Sequence, residues 1–304
     1  MYLKFAVENF VMDREFRNLS PKSISSYSGT LKEFQNYCSE KEIISSQDVT
    51  VQVIKSYLLY CRKERKNAPT SINHKLHNLK IFFNFLQEEL ELYNDKTNPT
   101  RKMKYMKTNV RIDVYTDKQI AQMLAYYRKL RQIEKSFFAV RNYTMILMLL
   151  GTGIRLGELV NLKWDNVDFI NLTVTVYGKK RQDSSLPLTN KLKKELSDYK
   201  VYCEQHFGKL PENIFTTNKR TKLSENAVKC VFKRLKKIMG FHVNCHRFRH
   251  TFAHRYLMAG GDVFSLQRML RHSSLNTTQR YVALWGTALK EQNDKFNPLN
   301  ELDF

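Results

Sequence analysis

The 304-residue chain has no C-x-x-C pair, and its five cysteines (Cys38, Cys61, Cys203, Cys230 and Cys245) stand singly. Such a set argues against a disulfide framework or a cysteine-ligated zinc and leaves reduced, mostly buried thiols. No apolar run approaches the length of a membrane span and no signal-peptide pattern opens the sequence, so a soluble cytoplasmic protein is expected. A basic amphipathic helix with a lipid-facing stripe is missing too, which argues against a membrane surface as partner. Internal repeats and low-complexity segments are also absent. Acidic residues are scarce: 29 Asp and Glu face 51 Lys and Arg, a net charge of +22. A field of that sign attracts polyanions.

What is present divides into two parts. The length suggests two domains, and 42% hydrophobic residues with 12% aromatic indicate a folded protein. The charge is unevenly placed. The first fifty residues carry six basic against seven acidic side chains, whereas "CRKERK" (61 to 66) and "RKMKYMK" (101 to 107) are strongly basic. Residues 1–94 read as a four-helix unit. One helix is expected near 2 to 16 and another after the Ser20-Pro21 cap, with apolar Ile24, Tyr27, Leu31, Phe34 and Tyr37. Further helices start near Thr50 and Pro69. The last carries His74, Lys75, His77 and Lys80 outside its apolar stripe, a face suited to a DNA groove. Residues 95–114 lack periodicity and read as a basic linker lying close to nucleic acid, with Arg101, Lys102, Lys104 and Lys107 as contacts.

Residues 115–304 form the second expected domain. A Thr116-to-Gln119 capping box opens its first helix, and 137 to 150 is apolar nearly all round and should be buried. "GTGIR" breaks that helix, another runs from about Leu156 to Leu162, and "NLTVTVYGKKRQDSSLPL" alternates as a strand, a turn and a returning strand. Helices resume near Asn190 and after the cap Ser224.

The stretch "NCHRFRHTFAHRYL" (244 to 257) places three histidines and three arginines in fourteen positions. His246, His250 and His254 at four-residue intervals could ligate a metal from one helix face. The absence of an HExxH-type acid, and repulsion from Arg247, Arg249 and Arg255, weigh against a cation. A reacting phosphate fits better.

"GTGIRLGELVNLKW" (151 to 164), "GKKRQDSSLPL" (178 to 188), "HRFRHTFAH" (246 to 254) and "LRHSSLNTTQRYVAL" (270 to 284) together resemble the four motifs of the tyrosine recombinases, or phage integrase family. Length and layout are closest to compact Xer-like and transposon-type members. The resemblance implies a mainly α protein: a helical core-binding, SAM-like domain, then a mixed α+β catalytic domain with a small antiparallel sheet. It assigns catalysis to Arg155, Lys179, His246, Arg249, His272 and the nucleophile Tyr281, with Glu158 in support. It further implies double-stranded DNA recombination sites as partners, a tetramer working through a Holliday junction, and integration, excision or resolution of a mobile element. Accessory proteins are compatible with this, and no metal or other cofactor is required.

Physical chemistry points to the same set. Two guanidiniums from separate segments, Arg155 and Arg249, can each donate paired hydrogen bonds to the nonbridging oxygens of a phosphodiester in transfer. A tyrosine hydroxyl, with a pKa of about 10, needs a proton acceptor as it attacks. His246 is the first candidate for that acceptor, and His250 is expected to brace the site by a buried hydrogen bond. The leaving 5′-oxygen needs a proton, which the resemblance assigns to Lys179, with Lys180 its adjacent rival. A type IB topoisomerase is the alternative within this chemistry, and a catalytically inactive DNA-binding regulator the alternative outside it. Two positions depart from the family pattern: Arg271 stands where glycine commonly precedes the motif histidine, and Arg247 where an acid is frequent. Beyond Tyr281, the segment 285–304 carries Trp285, Leu289, Phe296, Leu299, Leu302 and Phe304, more apolar surface than a solvated tail uses, and the resemblance implies docking on a neighbouring protomer.

Overall fold

Two bodies account for the chain in the computed structural model, Met1–Val110 and Arg111–Phe304. The residues described are 1–108, 112–134, 136–177, 183–272, 274, 275, 278 and 281. The fold class is the one expected: mainly helical, with one three-stranded antiparallel sheet in the second body. Among the described residues no helix is long and apolar enough to cross a membrane.

The first body is built from α1 (Leu3–Phe16), α2 (Pro21–Ser39), α3 (Val51–Lys63) and α4 (Pro69–Glu88). The Ser20 hydroxyl accepts from Ser23 N and Thr50 accepts from Val53 N, so both caps satisfy donors that the helix leaves unpaired. Heptad-like apolar spacing then buries Phe10, Leu31, Phe34, Ile54, Tyr57, Leu79, Phe82 and Phe83 in one core. Phe10 and Phe82 meet edge to face at 5.5 Å, a preferred aromatic geometry.

The segment expected as a linker is tied to this body through Met106. The Asn73 side chain donates to Met106 O at 2.9 Å and accepts from Met106 N at 2.8 Å, and Asn98 Nδ2 donates to Gln87 Oε1 at 2.9 Å. Paired amides replace the missing apolar periodicity, so the basic run 101–107 lies along α4 as ordered structure.

In the second body α5 (Asp117–Ile133) begins at the Thr116–Gln119 capping box, and α6 (Phe137–Thr152) is buried on nearly every side. It packs on α5, on α8 (Asn190–Phe207) and on α10 (Cys245–Met258). Between α6 and α8 lie α7 (Leu156–Val160) and the strands β1 (Val167–Asp168), β2 (Thr173–Tyr177) and β3 (Asp183–Pro187), in the order β1-β2-β3. α7 stops two residues short of the expected Leu162, because Leu162 O accepts from Ile214 N and Trp164 N donates to Glu212 O. That extended pairing outcompetes another helical turn. α9 (Glu225–Met239) and α11 (Val263–Leu270) complete the described elements.

Candidate active site

Gly153 makes the first turn of the site possible. It ends α6 at φ 61°, the left-handed region that glycine enters freely, and there is no room for a side chain beside Phe252. The chain thereby redirects into Arg155, which precedes α7. Glu158, one helical turn on, accepts from Arg155 N at 2.9 Å and from Arg155 Nη1 at 3.0 Å. Arg155 Nη2 donates to Arg271 O at 2.8 Å.

α10 supplies the next group. Asn244 caps it through a 2.8 Å bond from Arg247 N, so His246 and Arg249 face one side of its first turn. Arg249 is 3% exposed; its Nη1 donates to Gly153 O at 2.8 Å and its Nη2 donates to Leu270 O. Two guanidiniums from distant motifs thus converge on the end of α6 and the end of α11. A guanidinium carries five N–H donors, so these contacts leave others for a phosphate.

Tyr281 is 4% exposed, and its hydroxyl lies 2.7 Å from His250 Nδ1. His250 stands one turn beyond His246, and their ring centroids are 4.2 Å apart. The tyrosine therefore reaches the second histidine of α10, whereas the sequence pointed first to His246 as its acceptor. His272 lies parallel to the Tyr281 ring at 6.5 Å, and its Nδ1 is 2.8 Å from the buried Thr278 hydroxyl. Thr278, three residues before Tyr281 in "NTTQRY", was missed in the sequence, where it looked like one polar residue among several. Lys179 and its rival Lys180 fall outside the described residues, as does the tail 285–304.

Burial, reinforced by positive charge, sets the protonation of the cluster. Burial first, then Arg249 and Arg155, lowers the His246 pKa. Burial, His246 and Arg249 push His250 down to about 4, and burial with Arg249, Arg155 and Arg271 pushes His272 down to about 4. All three are then neutral at pH 7. Arg249 is pushed to about 9 by burial and by its neighbours Arg155 and Arg271, and it remains charged. A cleft of about 550 Å³ opens beside Arg155, His246 and Arg249, with Lys229 of α9 and Asn244 also on its wall. Among the described residues no three His, Cys, Asp or Glu side chains gather as a metal site.

The two departures from the family pattern have structural partners. Arg247 is engaged elsewhere. Its Nη1 donates to His242 O at 2.8 Å and its Nη2 to Val114 O at 3.0 Å, its guanidinium pairs with Asp113, and it stacks 4.3 Å above Tyr115. It straps residues 113–115 to the start of α10. Arg271 joins the site through Glu158, with Nε at 3.2 Å and Nη2 at 2.5 Å from the carboxylate.

In the first body, the expected DNA-contact residues separate into two groups. His74, His77 and Lys80 share one side of α4: His74 Nε2 meets Ser26 Oγ at 2.9 Å, His77 Nδ1 meets Tyr105 Oη at 3.2 Å, and Lys80 lies 5.1 Å above the Tyr105 ring. Lys102, Lys104 and Lys107 are exposed, and Arg101 pairs loosely with Asp95 at 3.3 Å. Lys75 instead points at Glu33, with Nζ 2.7 Å from each carboxylate oxygen and the side chain 14% exposed. Glu33 is shared with Arg65, whose Nη1 lies 2.9 Å from Oε1, so Lys75 is held inside the body by a carboxylate that serves two cations.

Comparison with known proteins gives family matches to both bodies. The phage integrase family profile matches residues 113–285, and that of the phage integrase N-terminal SAM-like domain matches 14–89. The chain is 30% identical over 285 residues to tyrosine recombinase XerC of Leptospira interrogans serogroup Icterohaemorrhagiae serovar copenhageni, covering 93% of this chain and 89% of that protein. It is 29% identical over 291 residues to a tyrosine recombinase of Pseudothermotoga lettingae, covering 94% and 93%. Similar folds include the Tn1549 transposon integrase in complex with transposon right end DNA (TM-score 0.75, 18% identity, 97% and 99% coverage). XerH recombinase bound to a palindromic difH substrate is another (TM-score 0.74, 20% identity, 90% and 80% coverage).

Proposed function

Because the chain belongs to the phage integrase family, the tyrosine recombinases, we propose that it cleaves and rejoins specific double-stranded DNA sites through a covalent bond to Tyr281. The observation that carries this reading is the Tyr281 hydroxyl 2.7 Å from a neutral histidine, on a body whose two motif arginines converge beside an open cleft. Arg155 and Arg249 hold the nonbridging oxygens of the scissile phosphate, and His272 donates a further hydrogen bond. His250, with its proton on Nε2, accepts the phenolic proton at Nδ1, and His246 beside it faces the phosphate. The Tyr281 oxygen bonds to phosphorus while the bond to the 5′-oxygen breaks. Lys179 gives that oxygen its proton, producing a 3′-phosphotyrosine and a free 5′-hydroxyl. Attack by a 5′-hydroxyl from another strand reverses the step, and the covalent link conserves the bond energy.

On this reading the working assembly is a tetramer on two sites, with a Holliday junction between two rounds of exchange and the tail 285–304 docked on a neighbouring protomer. Its role is integration, excision or resolution of a mobile element, in the cytoplasm. The domain division 1–94, 95–114 and 115–304 gives the first body the task of gripping DNA, with His74, His77, Lys80, Arg101, Lys102, Lys104 and Lys107 on phosphates and bases.

The test starts from a random DNA pool. Tyr281→Phe protein is used to select bound duplexes, and the wild type is then given a nicked version of the selected duplex in EDTA. A covalent protein–DNA adduct is expected from the wild type and none from Y281F. An adduct with Y281F, or a strict requirement for Mg²⁺, would overturn the proposal.

A further inference from the structure

Arg271 occupies a backbone conformation that arginine disfavours. Its φ of 52° and ψ of 48° at the end of α11 lie in the left-handed region, at a cost of about 1–2 kcal/mol for a residue with a Cβ. Its side chain adds to the backbone bond from Arg271 N to Arg268 O in holding it there. Nε and Nη2 reach both oxygens of Glu158, Nη1 donates to Met269 O at 2.9 Å, and the two paired side chains are only 9% and 6% exposed. The carbonyl of the same residue accepts from Arg155, and the next backbone N–H, that of His272, donates to Gln267 O at 3.2 Å. One residue thus joins the turn before His272 to the carboxylate that also grips Arg155.

We infer that Arg271 is a positioning residue for strand cleavage: its grip on Glu158 fixes the turn presenting His272 and leaves the Arg155 guanidinium available to the phosphate. This rests on the reading of Arg155 and His272 as phosphate ligands. Glu158 accepts from Arg155 N, Arg155 Nη1 and two nitrogens of Arg271. Two cations share one anion, so neither is neutralised by it. With Arg249, three guanidiniums against one carboxylate leave two net positive charges, a match for the two negative charges of a phosphorane-like transition state. Removing Arg271 would leave one, and Arg155 would become the sole close cation of a buried carboxylate.

The charge state of Glu158 supports this arrangement. Burial alone would raise its pKa, yet the positive charge of Arg271, followed by the hydrogen bonds and charge of Arg155, holds it below the ordinary carboxylate value. The other charged group that feels it is Arg249 from α10.

Arg271→Gly separates backbone from side chain, since glycine adopts the left-handed turn without strain. On the selected duplex, R271G is expected to bind within about twofold of wild type but to form the covalent adduct about tenfold more slowly, equivalent to about 1.4 kcal/mol. The acid limb of its pH–rate profile should move to higher pH, because Glu158 loses its strongest cation and protonates earlier. Arg271→Lys, which keeps the charge, should restore that limb. Wild-type cleavage by R271G with an unshifted profile would overturn the inference, as would equal losses of affinity and rate. A second measurement needs no DNA: in urea unfolding, R271G and Glu158→Gln should be strongly non-additive, and additive effects would equally overturn it. If the wild type formed no adduct on the duplex, the strand-transfer reading would fail, while the unfolding cycle would still decide whether the pair exists.

Discussion

Gly153→Ala tests the claim that one turn after α6 sets the geometry of both arginine motifs. A Cβ at this position would lie 2.5 Å from Phe252 Cδ1, 3.1 Å from Phe252 Cγ and 3.0 Å from Leu270 Cδ2, at a backbone φ of +61°. The left-handed conformation alone costs alanine about 1–2 kcal/mol. Forcing a methyl against an aromatic ring adds about 1–3 kcal/mol. The variant should therefore lose about 2–5 kcal/mol in urea unfolding, a large share of ordinary domain stability. The direction of the strain matters as much as its size. Phe252 belongs to α10, which carries Arg249, and the Leu270 carbonyl accepts from Arg249 Nη2. Relaxation of either residue displaces that guanidinium, so adduct formation should fall further than duplex affinity. Adding Phe252→Ala relieves the contact but not the φ strain, so the pair should be coupled by about 1–2 kcal/mol in a double-mutant cycle. G153A unfolding within about 0.5 kcal/mol of wild type, the range of neutral surface changes, would refute the argument.

The remaining predictions concern charge. Lys75→Met should lower stability by about 1 kcal/mol through loss of a partly buried pair and leave the salt dependence of DNA binding unchanged, because the Lys75 ammonium is tethered to Glu33 with its side chain only 14% exposed. Neutralising Lys102, Lys104 and Lys107 should instead reduce the salt slope by about 0.9 for each DNA phosphate that no longer meets a cation. Equal effects of the two variants on that slope would refute the separation. For pH, His250 and His272 are each held near 4 in the folded state against an ordinary 6.5. Between those values the unfolded chain binds more protons, so stability falls as pH drops from about 6.5 to 4 and is level, for these two groups, above 6.5. Urea midpoints measured from pH 4 to 8 should show that slope, and H250Q with H272Q should flatten it. An unchanged slope in the double variant would contradict the burial argument.

Helix positions were legible because short-range signals fix them. The Ser20, Thr50, Thr116 and Ser224 caps each close with the backbone N–H three residues on, and apolar spacing marks the buried faces. Leu162 was misread because its partner, Ile214, lies far along the chain, and extended pairing has no local signature. The same limit explains Lys75. Its place outside the apolar stripe was visible, but its pairing with Glu33 on α2 was not. In the candidate site Glu158 beside Arg155 was legible from its three-residue spacing, but contacts between distant segments were not. That Tyr281 meets His250 and not His246 depends on how the chain returns after α11, and both histidines stand on the same face of α10.

Arg271 shows why a departure from a family pattern can be compensation and not damage. Where glycine is common the turn costs nothing, and the carboxylate of Glu158 must then be balanced by Arg155 or by something else. With arginine the turn is strained, but the strain is offset by a buried two-pronged contact to Glu158. The extra charge falls on a cluster that already disfavours protonated histidines, which adds to the depression of His272. In the strand-transfer reading that depression has a use. A phosphodiester seated between Arg155 and Arg249 cancels part of the positive field, so proton uptake at His246, His250 and His272 becomes easier as negative charge builds on the phosphate. His250 is then a neutral acceptor before the DNA arrives and a better proton carrier once it is bound. The crowding of cations makes the empty site less stable, because Arg155 and Arg271 each disfavour the charge of Arg249.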